Sequence, residues 1–338
     1  MIGWLQLTDE QRKTSLEQAS IARGIQIKAI EKDWWVTLSL KALFQTPYAQ
    51  YVVFKGGTSL SKCWKLIERF SEDIDIVLDP QAFNMRYEVN PGRSYLDKLK
   101  REGCAFTSTA LKNALEAELS ALGVPPGLLT VEAAPVREDI PDTDPQTILV
   151  KYPSLCDLNP YLADVVKIEV SVRSLKEPFS DVHIQSILSE MYPQRAYAET
   201  PFPVAAVEPK KTFLEKIFLL HEEFQRPDLG KIKTERMSRH FYDLEKLMDT
   251  EAGKAALEDE DLYVTIIHHR QRYSRLSWMD YNTLHKHTIS FLPPEILKEA
   301  YMKDYAVMQE QMIYGESLEY PGLYERLEQL IKRFRGEN

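Results

Sequence analysis

Tyr51-Val-Val-Phe-Lys-Gly-Gly-Thr-Ser59 and, with fourteen residues between Thr58 and Asp73, Asp73-Ile-Asp-Ile-Val-Leu78 are the stretches whose reading decides the fold. Residues 51–54 read as a short buried strand, Gly56-Gly57 as a break, 58–69 as a helix and 73–78 as a second strand. Side chains alternate along a strand, so Asp73 and Asp75 project together while Ile74, Ile76 and Leu78 point into a core. Two neighbouring carboxylates repel, and a hard divalent cation such as Mg²⁺ (or Mn²⁺) resolves the repulsion when substrate phosphates complete its shell. The turn just upstream suits phosphate: Gly56 and Gly57 allow close approach, and the hydroxyls of Thr58 and Ser59 stand beside backbone N–H groups at a helix start. An exposed strand end with two solvated aspartates has the same two-residue pattern; the glycine turn favours the phosphate reading. The spacing is not that of a P-loop.

Outward from this centre, Thr8-Asp-Glu-Gln11 has the form of a capping box and opens the first helix of a hairpin whose second helix spans 26–44. Helices are expected at 94–101 and 107–122, and strands at 128–133, 147–151, 165–172 and, more weakly, 182–188. Prolines mark 200–209 as a linker. Beyond it the pattern is helical: 210–225, 235–249, 260–273, 294–314 and 318–334. The expected division is therefore 1–199 as the core with its N-terminal hairpin, 200–209 as a linker, and 210–338 as a helical C-terminal domain.

The residue balance, 44% hydrophobic and 28% charged, is that of a globular chain with a sizeable core. No apolar run approaches the roughly 20 residues of a spanning helix, and the start lacks a signal-peptide pattern, so the expected place is the cytoplasm. Cys63, Cys104 and Cys156 have no metal-site spacing and read as reduced. A net charge of −9 argues against nonspecific coating of nucleic acid. Any RNA surface must be local. Arg226, Lys231, Lys233, Arg236 and Arg239 could supply one or form a solvated loop, and residues 268–273, His-His-Arg-Gln-Arg-Tyr, could read RNA or end a helix.

The order strand, glycine turn, helix and carboxylate strand resembles the polymerase-β-like nucleotidyltransferase fold, an α+β core with a mixed sheet. The closer resemblance is to the AbiEii/AbiGii toxin family of that superfamily, which has a longer interval between turn and aspartates. It is carried by Lys55-Gly-Gly-Thr-Ser-Leu60 and Arg69-Phe-Ser-Glu-Asp-Ile-Asp-Ile76. Separated matches follow the same order: Glu31-Lys-Asp-Trp-Trp35, Val166-Lys-Ile-Glu-Val170, Thr212-Phe-Leu-Glu-Lys216, Tyr242-Asp-Leu244 and Asp304-Tyr-Ala-Val-Met308. The resemblance implies metal-dependent transfer of a nucleotide from an NTP, a tRNA 3′ end as acceptor in some members, and a toxin or phage-defence role neutralised by an antitoxin protein. A protein acceptor, or a non-catalytic nucleotide-binding module, remains an alternative.

Roles follow on that footing. Glu169 shares a strand face with Lys167 and Ser171 and becomes a candidate metal ligand or base; a Lys167/Glu169 surface pair is the plainer reading. Lys216 lies on an apolar helix flank and needs an anion. The resemblance makes that anion the NTP phosphates, whereas an internal bridge to Asp243 or Glu169 would serve equally. Asp243 is either an i,i+4 partner of Arg239 or, as the resemblance implies, the residue that orients Lys216. Lys55 is expected on phosphate and Lys62 on the solvent side of its helix. Arg69 and Ser71 are expected to brace the turn or touch phosphate, with Lys32 and Asp33 supporting from the hairpin.

Overall fold

The computed structural model describes residues 2–136, 142–157 and 162–337. By packing, the chain divides into two compact units, Met1–Cys63 with Ser71–Val207, and Trp64–Phe70 with Glu208–Asn338.

The first unit is built on seven strands: β1 (Val52–Lys55), β2 (Ile74–Leu78), β3 (Thr130–Ala133), β4 (Gln146–Lys151), β5 (Val165–Ser171), β6 (Phe179–Ile184) and β7 (Phe202–Val207). They form one mixed sheet in the order β3-β4-β5-β2-β1-β7-β6. β2 runs antiparallel to β1 and parallel to β5, so it is interior, and its Ile74, Ile76 and Leu78 are fully buried.

Helices α1 (Asp9–Arg23) and α2 (Ile27–Leu43) form the expected hairpin, and Thr8 and Gln11 close the capping box reciprocally. α3 (Gly56–Lys62) is shorter than expected, ending at Lys62 instead of near Arg69. Lys65 takes a positive φ of 54°, and residues 66–70 leave the helix to pack within the second unit. Local apolar spacing suggested a longer helix; tertiary contacts override it. α4 (Arg93–Phe106) and α5 (Lys112–Ala121) are joined by a π-helical turn, Thr107–Leu111, into one continuous rod. A short α6 (Ile187–Met191), capped by Ser186, follows β6.

The segment 200–209 is not a linker: Phe202–Val207 is β7, paired antiparallel with β6 from Phe179↔Val207 to Ile184↔Phe202. Its registered contact with β1 is confined to Phe54↔Ala206. Pro203 therefore lies in the part of β7 with no registered β1 partner, where a missing N–H is tolerated.

The second unit is helical: α7 (Pro209–Phe224), α8 (Ser238–Leu247), α9 (Glu251–Glu258), α10 (Glu260–Tyr273), α11 (Lys298–Gln311) and α12 (Tyr320–Arg335). α7 packs on α8, α9 and α10, and α8 also packs on α11 and α12. The early segment Trp64–Phe70 is pinned into this unit by backbone pairing: Phe70 N–H donates to Met312 O (2.8 Å) and Tyr314 N–H to Glu68 O (3.0 Å). No helix among the described residues is long and apolar enough to cross a membrane.

Candidate active site

In the first unit, strand register assembles a polar row on one sheet face. Lys55 opposes Asp75 across β1 and β2, and Asp75 opposes Glu169 across β2 and β5. Registered residues on neighbouring strands lie about 5 Å apart with side chains on the same face, so Lys55, Asp75 and Glu169 are consecutive neighbours along the sheet. Asp73 lies one alternation before Asp75, immediately ahead of β2.

Gly56 closes one side of this row. It takes φ of 81°, a conformation that glycine adopts without strain, and a Cβ there would collide with the Asp75 carboxylate. The turn and the carboxylate therefore fit each other only while residue 56 has no side chain.

The hydroxyls beside the turn are turned inward. Thr58 Oγ1 donates to Asp73 O (2.5 Å) and lies 2.9 Å from the hydroxyl of Ser71, while Ser59 Oγ donates to Gly56 O (3.0 Å). Both Thr58 and Ser59 are buried. Thr58 and Ser71 thus fix the backbone that carries Asp73, and Ser59 braces the turn. Lys55 Nζ donates to Ser174 Oγ (2.9 Å), which in turn donates to Ser171 Oγ (3.0 Å). Ser171 and Ser174 were not anticipated; only the alternation that puts Ser171 on the face of Glu169 hinted at them.

Behind the turn, α2 carries four buried charges, each with a partner. Lys32 pairs with Glu72, the residue before Asp73, and also donates to Ala163 O (2.9 Å). Asp33 pairs with Lys62 (2.6 Å) and accepts from Ile187 N–H (2.8 Å). Lys28 meets Asp164 at 2.8 Å, and Glu31 accepts from Leu155 N–H at 2.8 Å. Lys62 is accordingly not on the solvent side of its helix, as its sequence setting suggested, but buried and paired. Two of these pairs tie the turn helix and the start of the carboxylate strand to one rigid helix. The signal lay in α2 itself, whose charged residues interrupt a helix that is apolar nearly all round.

The second unit holds its own charged cluster. Arg69 chelates Asp243, Nε to Oδ1 at 2.6 Å and Nη2 to Oδ2 at 2.8 Å, and Lys216 Nζ reaches the same Oδ2 at 2.8 Å. All three are buried. Of the two partners expected for Asp243, the structure supplies Lys216 and adds Arg69, from 174 positions away; among the described residues no ion pair joins it to Arg239. Burial opposes the charge of Asp243, but Arg69 and Lys216 outweigh it and hold the carboxyl well below its ordinary range. Burial pulls the Lys216 pKa down, against Asp243 and with Arg69 and Arg239. His240 Nδ1 lies 3.5 Å from Lys216 Nζ, and burial and that ammonium hold the imidazole neutral. Two cations thus share one carboxylate.

The aromatic and basic stretch near residue 270 serves packing in part: Arg270 pairs with Glu222, His269 stacks on Tyr273 at 4.5 Å, and Arg226 lies over Trp278 at 4.2 Å.

Two aspartates and a glutamate supply hard oxygen donors. Among the described residues no three His, Cys, Asp or Glu side chains form a ready-made metal cage. Paired carboxylates fit Mg²⁺ nonetheless, since that ion is commonly held by one or two carboxylates and completed by substrate phosphates and water.

The family model described as "Nucleotidyl transferase AbiEii toxin, Type IV TA system" matches residues 39–333. No curated protein matches the chain.

Proposed function

Because the chain belongs to the AbiEii nucleotidyltransferase toxin family, we propose that it transfers a nucleotide from an NTP to the 3′ end of a tRNA, with Mg²⁺ held by Asp73 and Asp75. The observation that carries this reading is the row Lys55, Asp75 and Glu169, in register across three strands and closed by the side-chain-free Gly56.

When bound, Mg²⁺ would neutralise phosphate charge and polarise the α-phosphate. This chain's residues do the rest. The Gly56-Gly57 backbone lets phosphate oxygens approach closely, and Lys55, beside Asp75 in register, offers an ammonium held by Ser174. The acceptor hydroxyl attacks the α-phosphorus, the bond to the bridging oxygen breaks, and pyrophosphate leaves. Glu169, next to Asp75 on the same face, takes the hydroxyl proton.

In the second unit, Lys216 is assigned an anion-binding role. Its setting supports this: two buried cations beside a single carboxylate leave unbalanced positive charge, which a polyanion would offset. Asp243 and Arg69 then act as positioning residues, fixing the ammonium. Family membership supports a cognate antitoxin as partner.

The test is to incubate the protein with each labelled NTP, MgCl₂, total RNA and cell protein, then separate the fractions. Label in tRNA, removed by trimming the 3′ end, is the expected result. Label confined to protein overturns the RNA acceptor and keeps the transferase. Unlabelled fractions with all four NTPs overturn both.

A further inference from the structure

In the first unit, a cavity of about 220 Å³ opens at the ends of β2 and β5, lined by Val77, Leu78, Val172, Ser174 and Leu175, with Tyr87 at its mouth. We infer that this cavity is the subsite for the nucleobase of the NTP. The inference rests on the proposed transferase reading and deepens it by locating what the enzyme holds besides phosphate.

Three observations carry it. The cavity adjoins the polar row: Ser174, part of its wall, accepts from Lys55 Nζ at 2.9 Å. The cavity lies at the strand ends: Val77 is two residues, about 6–7 Å, beyond Asp75 on the same strand face, while Leu78 and Val172 belong to the opposite face.

The lining also has the chemistry of a base site. Leu175, half-buried, gives an accessible apolar wall over the buried Val77, Leu78 and Val172, and Tyr87, 46% exposed, offers an aromatic face at the entrance. Ligand sites combine such walls with a few fixed polar groups, and stacking on an aromatic ring serves any base. Here the polar group is Asp79, buried and held by Lys176 (2.5 Å) and by Gln81 N–H (2.9 Å).

Thirdly, the position is rigid. Val172 abuts Gly103 of α4, where a Cβ would meet its methyl groups, so that wall cannot move toward the helix. Arg173 is anchored by Asp144 at 2.6 Å, and Val172 N–H donates to the same carboxylate at 2.9 Å.

The experiment compares Mg²⁺-dependent binding of ATP, CTP, GTP and UTP with that of inorganic tripolyphosphate, which has no base. Leu175→Trp fills the cavity and Tyr87→Ala removes the exposed ring without disturbing the interior. The subsite predicts that wild-type protein binds at least one NTP tenfold or more tighter than tripolyphosphate. Each variant should lose most of that advantage with tripolyphosphate affinity unchanged. NTP binding that depends on Asp75 yet is indifferent to both substitutions overturns the base subsite alone. Failure of NTP and tripolyphosphate alike to bind wild-type protein overturns the phosphate reading, and the subsite with it.

Discussion

Gly56 and Asp75 fit against each other so closely that a side-chain carbon on the glycine would occupy the space of the carboxylate. Gly56→Ala should therefore act twice. Its positive φ costs an alanine about 1–2 kcal/mol, and the displaced carboxylate should lower nucleotide transfer on the order of 100-fold. Urea unfolding reads the first effect and labelled-NTP incorporation by folded protein the second. Activity within twofold of wild type would show that the fit is incidental.

Among the described residues, Asp243 is the carboxylate that Arg69 and Lys216 share in their buried cluster. Asp243→Asn leaves two cations without their counter-charge, and a loss of about 3–5 kcal/mol is expected. The pH dependence follows from the lowered pKa of Asp243. Its ionised form contributes stability above about pH 4, the unfolded value, and that contribution is lost as pH falls through the lower folded value. Acid titration of stability should thus be steeper for wild type than for Asp243→Asn below about pH 4. Parallel curves would contradict the assignment.

Glu199 shows the opposite sign. Burial pushes its carboxyl up to about 7; Oε1 accepts from Trp34 Nε1 at 3.2 Å, and Oε2 has no hydrogen-bond partner among the described residues. The folded state keeps the proton that the unfolded chain loses near pH 4, so the group destabilises as pH rises from about 4 to 7. Glu199→Gln should raise stability at pH 8 by on the order of 2–3 kcal/mol relative to its effect at pH 4. Thermal unfolding at the two pH values measures it, and equal shifts would refute it.

The legible part of the fold was local. Alternation along Asp73-Ile-Asp-Ile and along residues 165–172 placed Asp75 and Glu169 on sheet faces, and the register of β2 with β5 brings those faces together. Thr8 and Gln11 announced their helix start, and the structure closes that box. What remained hidden depends on distant partners. Nothing near Lys62 points to Asp33, and nothing near Asp243 points to Arg69, because each pair is joined only by tertiary packing. β7 was masked by its prolines, whose cost depends on which neighbour a strand has. Residues 58–69 read as one helix, yet the chain leaves it after Lys62 and the backbone of 68–70 pairs with residues 312–315.

Asp75, in the row with Lys55 and Glu169, is the residue on which the proposed metal-dependent nucleotide transfer turns. Asp75→Asn keeps the shape against Gly56 and removes the charge, so folding should survive. The decisive measurement is labelled-nucleotide incorporation by wild type and Asp75→Asn, with MgCl₂ and with a chelator, at matched thermal stability. The account predicts incorporation by wild type with MgCl₂ alone, and at least a 100-fold loss in the variant. Equal incorporation by the two proteins, or incorporation unaffected by the chelator, would contradict it.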